Sequence, residues 1–179
     1  MTEVVGRILA LDVGGRRIGV AVSDEMGFLA RGITTVKRSS TAQALDALEA
    51  VIQEWQPVAV LVGLPRNMDG SLGPQAERVM TFAKTLAQRI TAPVIYWDER
   101  LSSVSAEDIL RQQGVAGREQ KSRIDAVAAA VILQEYLDAR RMAQPDYGLL
   151  PPDAPPDSEP RRRTGREKRP RRRREERDR

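Results

Sequence analysis

The 179-residue chain contains no cysteine and no histidine. Without cysteine there is no disulfide, no thiolate nucleophile and no zinc site built on sulfur. Without histidine the commonest general base and the commonest transition-metal ligand are both missing. Catalysis, if there is any, must rest on carboxylates, hydroxyls, Lys, Tyr or a bound metal. A metal held by oxygen ligands alone would be a hard cation: Mg²⁺, Mn²⁺ or Ca²⁺. Long apolar runs are missing too. No stretch approaches the roughly 18–20 apolar residues of a membrane-spanning helix. The opening "MTEVVGRILALDVGG" does not read as a secretory signal, because its apolar run is short and Asp12 interrupts it. These absences predict a cytoplasmic protein with no membrane partner.

A hydrophobic content of 41% is enough for one domain with a real core. The net charge of +4 is unevenly spread: residues 1–150 hold 17 Lys+Arg against 18 Asp+Glu, and residues 151–179 hold 12 against 7. The basic character therefore belongs to the tail, and the high pI says little about the body. From about Pro145 the sequence is rich in Pro, Arg and Glu and nearly free of apolar residues after Leu150. Such a segment buries too little surface to offset the entropy of ordering. The expected organisation is one domain over 1–144 and a disordered Pro/Arg-rich tail over 145–179. The Arg clusters fit an arm that attracts RNA or DNA. A solubilising tail, its charge partly offset by its own acids, fits as well.

Residues 6–12 and 17–23 read as strands joined through Gly14 and Gly15. "GITTVKR" (32–38) is β-branched and reads as a third strand. In "TAQALDALEAVIQEW" (41–55) the apolar residues recur at helical spacing behind a Ser40 or Thr41 cap. "PVAVLVGLP" (57–65) is a continuous apolar run, the mark of a strand covered on both faces. Residues 66–73 read as a loop and 74–90 as a helix with Pro74 in its first turn. A short strand follows over 93–100, then a short helix over 103–114. Residues 115–123 read as a polar loop or helix entry, and 124–141 as the last helix. Three meandering strands followed by alternating helices and strands predict an α/β domain. Its sheet would be mixed, antiparallel first and parallel after.

Three acids stand in apolar settings. Asp12 closes the first strand, where it is either a turn residue or a functional carboxylate. Asp98 and Glu99 close "VIYW"; Glu99 could pair with Arg100 or cap the next helix instead of acting. Asp125 sits in "IDAVAAAVIL", a helix apolar on nearly every side, where a lone acid is costly unless paired or metal-bound. Its bland partner would be Lys121, one turn earlier. In α/β sheets, ligand sites lie at the carboxyl ends of the parallel strands. Asp12 and Glu99 both fall at such ends, and the helix of Asp125 is placed to pack across that edge. Three convergent carboxylates suit hard divalent cations that clamp a phosphodiester for hydrolysis. Arg16, Arg17, Arg100, Lys121 and Arg123 lie within a few residues of the acids and suit phosphate contacts; ordinary surface charge is the alternative for each. The loop "GLPRNMDGSLG", with Asn67, reads either as substrate-facing or as a plain connection.

Four blocks, "LDVGGRRIGVAVSD", "VGLPRNMDGSLGPQA", "DERLSSVSAE" and "KSRIDAVAAAVILQEYLD", resemble the YqgF family in order and spacing over roughly residues 6–140. That family comprises RNase H-like Holliday-junction resolvases, also described as pre-16S rRNA nucleases. The resemblance implies an RNase H-like fold with a mixed five-stranded sheet and helices on both faces. It implies an endonuclease acting with Mg²⁺ or Mn²⁺ on precursor rRNA or branched DNA, as monomer or homodimer, with a role in maturing the 5′ end of 16S rRNA. The family's acids fall on Asp12, Glu99 and Asp125. Two departures stand out. "DERLSSVSA" has serines where threonines are expected. Related resolvases carry the second acid at the end of the fourth strand, which here is Gly63–Leu64, whereas Glu99 follows the fifth. Two rival readings remain at this stage. The strand–turn–strand "DVGGRRIGVAVSD" also resembles the first phosphate loop of actin-like and sugar-kinase ATPases, but no second such loop follows. A nucleic-acid-binding module without catalysis is the non-enzymatic alternative, and retention of all three acids argues against it.

Overall fold

The computed structural model describes residues 6–99 and 118–143, with side chains of the last helix from 123 onward. Strands β1 (Ile8–Val13), β2 (Arg17–Ser23), β3 (Ala30–Lys37), β4 (Ala59–Leu64) and β5 (Val94–Asp98) form one sheet in the order β3-β2-β1-β4-β5. The first three strands meander antiparallel, and β4 and β5 run parallel to β1. This is the mixed five-stranded sheet expected of an RNase H-like α/β domain. β1 and β4 lie inside the sheet, which is why their sequences are almost continuously apolar.

Helices α1 (Thr41–Trp55) and α2 (Pro74–Ala87) cover one face. α1 starts at Ser40, whose side chain accepts the Gln43 N–H at 3.2 Å, satisfying one of the free donors of the first turn. Its buried stripe is Ala44, Leu45, Leu48 and Ile52. α2 enters through Pro74, which has no N–H to waste at the first helical position. Both helices pack on Leu9, Leu11, Val13, Val60, Val62 and Leu64. Each fully buried Leu of this kind contributes on the order of 1.5–3 kcal/mol. Helix α3 (Arg118–Ala143) lies on the other face, against β1, β2 and β3. There it meets Ile8, Ala10, Ala21 and Leu61 through Ala129, Ile132, Leu133 and Leu137.

Several boundaries differ from the sequence-based expectation. β3 spans 30–37 rather than 32–38, and β4 spans 59–64 rather than 57–65. α2 stops at Ala87, where the Arg89 N–H turns back to the Leu86 carbonyl at 2.9 Å, rather than running to 90. β5 spans 94–98 rather than 93–100. α3 begins at Arg118, so the segment left open between polar loop and helix entry is helix from that residue on. The polar run "REQKSR" lacks an apolar stripe, yet its long straight side chains are good helix formers. The helix expected over 103–114, Arg100 and the tail from 145 lie outside the described residues. Among the described residues, no helix is long and apolar enough to cross a membrane.

Candidate active site

Strand alternation puts Asp12 on the α3 side of the sheet, in line with Ile8 and Ala10. Across the antiparallel pair its partner is Gly19. A Cβ on Gly19 would run into the backbone carbonyl of Asp125, and one on Gly32 would come within 2.7 Å of the Ala126 carbonyl. The helix backbone therefore rests directly on the sheet at this point, and only glycine tolerates that approach. Because Gly19 is paired with Asp12, the same contact brings Asp125 beside Asp12.

Glu99 arrives from the other side of β1. It directly follows Asp98, which pairs with Leu64 of β4. Its carboxylate oxygen Oε1 fills the space where a side chain on Gly63 would stand, and Ile132 Cδ1 lies 3.0 Å from the same point. The departure noted at Gly63–Leu64 thus has a spatial answer. The fourth strand offers no acid there, and the carboxylate from the end of β5 occupies the room its glycine leaves.

The electrostatics bear the marks of crowding. Burial, then the charge of Asp125, pushes Asp12 up to about 6. Burial, then the charges of Asp12 and Asp98, pushes Glu99 up to about 7. Asp12 thus interacts with both other acids, as a central ligand would. Even so, among the described residues no three acids stand close enough together to form a finished metal-ligand group. Arg17 explains part of this: its Nε is ion-paired to Asp125 Oδ2. Among the described residues, the partner of Asp125 is thus a cation from β2; the side chain of Lys121, the partner considered from spacing, lies outside them. In chemistry the donor set still fits a hard divalent cation, being made of oxygens alone. Burial and like charge disfavour the charged forms of Asp12 and Glu99, and a cation would favour them.

The remaining sequence candidates are scattered in role. Arg17 is at the acids. Arg16 is exposed in the β1–β2 turn, where its carbonyl accepts the Arg38 N–H at 2.9 Å. Arg123 is exposed on α3, two residues before Asp125. Lys121 lies in the helical backbone, but its side chain, like all of Arg100, is outside the described residues. Asn67 is engaged within its loop: its Nδ2 donates to Ser71 Oγ at 2.8 Å, and its backbone N–H to the Ser71 carbonyl at 3.0 Å. Asp98 is drawn toward Arg66, with 3.8 Å between Oδ2 and Nε. Sequence reasoning missed Gly19, Gly32 and Gly63. The available signal was a glycine inside each of three apolar or β-branched strands, which marks close approach of another chain segment.

A family model described as RuvX, Holliday junction resolvase, matches residues 6–139; RuvX and YqgF denote one family. A Myxococcus xanthus protein named "Putative pre-16S rRNA nuclease" is 49% identical over 141 residues, covering 79% of this chain and 93% of its own. A Thermoanaerobacter pseudethanolicus protein of the same name is 44% identical over 136 residues, covering 75% and 98%. Among solved structures, the Fowlpox virus resolvase with its Holliday junction DNA superposes with a TM-score of 0.49 at 13% identity, covering 75% of this chain and 98% of that one.

Proposed function

Because the chain belongs to the RuvX family of Holliday junction resolvases, we propose that it hydrolyses phosphodiester bonds of structured nucleic acid at the cluster of Asp12, Glu99 and Asp125. What supports this reading is that Asp12 of β1 feels the charge of Asp125 on α3, and Glu99 at the end of β5 feels that of Asp12, all beside the carboxyl ends of the parallel strands. Asp12, Glu99 and Asp125 are the residues that would hold Mg²⁺ or Mn²⁺, with Asp12 between the other two. Bound there, the cation supplies Lewis-acid polarisation of the phosphodiester and activation of water. The protein's own part is positional. Gly19 and Gly63 admit two of the acids to the edge. Arg17 neutralises Asp125 and stands ready to contact phosphate. The segment 145–179 adds a net-positive arm for the same polymer.

The substrate that best matches the curated relatives is the 5′ end of precursor 16S rRNA, for which a single copy of the chain suffices. The family description favours a second reading, resolution of branched DNA, whose symmetry would call for two copies. Two assays separate them. Purified protein with Mg²⁺ is offered a 5′-extended 16S precursor fragment and a four-way DNA junction, and 16S 5′ ends are sequenced in cells depleted of the protein. Trimming of the precursor and accumulation of extended 16S ends support the rRNA role. Mature ends together with junction cleavage support the DNA role. No cleavage of either polymer overturns the nuclease reading.

A further inference from the structure

The acids occupy the α3 face of the sheet, but a second polar feature lies at the same edge on the other face. β3 runs parallel to β1, so Lys37 and Arg38 emerge beside the end of β1, with Lys37 paired to Arg17. α1 begins just after them, and α2 begins after β4 at this edge as well. Beside the start of α1 and along α2 from Pro74 to Thr85 lies an open groove of about 400 Å³, lined by Arg38, Arg78, Glu77, Thr41, Thr85 and Phe82 among others.

Its chemistry points to phosphate. Arg38 is held in a fixed pose: its Nη1 donates to the Gly14 carbonyl at 3.2 Å, and its guanidinium lies 4.8 Å from the centre of the Phe82 ring. Arg78 is exposed, and among the described residues it takes part in no ion pair. The hydroxyls of Thr81 and Thr85 donate back to the Glu77 and Thr81 carbonyls, so the groups that suit phosphate oxygens are the two guanidiniums and Thr41 at the start of α1. The groove is also tied to the acids. Gly14, which anchors Arg38, is two residues past Asp12, no more than about 7 Å along an extended chain. Arg16 and Lys37 flank the path between them, both exposed.

We infer that this groove is a second contact for the phosphodiester backbone. It holds the arm of the substrate that passes over the β1–β2 turn, away from the scissile bond. The inference rests on the nuclease reading above. It adds that the substrate wraps the carboxyl edge of the sheet onto the α1/α2 face.

The test uses the full-length chain and three variants. Arg78→Glu reverses a cation of the groove, Glu77→Gln removes the opposing acid, and Arg140→Glu makes the same charge reversal in the last turn of α3, on the other face of the sheet. Binding to a four-way DNA junction and to a 5′-extended 16S hairpin is followed by fluorescence anisotropy in chelator across a salt series. Thermal melts confirm that each variant is folded. Arg78→Glu is expected to weaken binding roughly tenfold and to lower the salt slope by about 1. Glu77→Gln is expected to tighten binding, and Arg140→Glu to match wild type. The polymer that loses more affinity in Arg78→Glu identifies which backbone the groove holds. Wild-type affinity and salt slope in Arg78→Glu, or an equal loss in Arg140→Glu, overturns the groove while leaving the nuclease reading intact. Failure of the wild type to cleave either polymer with Mg²⁺ overturns both.

Discussion

The two faces of the sheet are made of different side chains. Toward α1 and α2 the strands present Leu9, Leu11, Ile18, Val20, Val60 and Val62, all fully or almost fully buried. Toward α3 they present Ala10, Ala21, Gly19, Gly32 and Gly63 near the helix backbone and the acids. Large side chains keep a helix at a distance and supply apolar burial. Small ones let backbone and carboxylates come together. The first face holds the domain together, and the second brings charges to places where they repel and lose water. That arrangement is unfavourable for the bare protein and useful to a hard cation, the recurring trade between stability and function in active sites.

Substitutions can break this contrast. The largest expected effect is from Asp12→Asn, which removes the carboxylate between the other two. Cleavage with Mg²⁺ should fall by well over the roughly 10–100-fold typical of a residue that merely supports a ligand, while the fold survives a thermal melt. Next is Leu48→Ala on the opposite face. It should lower unfolding stability by about 2–5 kcal/mol in a denaturant titration, with cleavage at 25 °C kept by whatever fraction remains folded. Gly63→Ala should do the reverse. Its methyl group displaces the Glu99 carboxylate, so cleavage should fall roughly 10–100-fold, with a much smaller change in melting temperature.

The smallest effect sharpens the comparison through pH. The carboxyls of Asp12 and Glu99 titrate near 6 and 7 in the folded chain, above their ordinary values. Between about pH 4 and 7 the folded state therefore holds protons that the unfolded chain releases. The stability these groups contribute is full at acid pH and is lost as pH rises through about 7. Glu99→Gln keeps the shape and removes the titration. In chelator at pH 8 it should melt about 2–4 °C above wild type, corresponding to roughly 1 kcal/mol once partial exposure is discounted; at pH 4 the two should melt together. Because a bound cation favours the charged carboxylates, wild-type cleavage with Mg²⁺ should hold to a lower pH than these metal-free values and decline below it.

Much of the scaffold was legible because its signals are local. The stripe at 44, 45, 48 and 52 gives α1 its inner face, and the apolar runs around Ala10 and Leu61 announce inner strands. Asp12 and Asp125 were legible as acids out of place in apolar runs. What escaped depends on distant pairings. The ion pair of Arg17 with Asp125 spans 108 residues of sequence, and no spacing rule points to it. Glu99 looked misplaced because its strand follows the expected one, and only the packing of β5 beside β4 carries its carboxylate over Gly63. The first turns of α3 were left open between loop and helix entry, since a polar run with good helix propensity shows no apolar stripe.

The central claim is that Asp12, Glu99 and Asp125 act as one cation-binding cluster. Calorimetric titration of Mn²⁺ into wild type, Asp12→Asn, Glu99→Gln and Asp125→Asn at pH 8 tests it most directly. The expected result is saturable binding by wild type, weakened in all three variants and most in Asp12→Asn. Equal Mn²⁺ affinity in wild type and the three variants would contradict it.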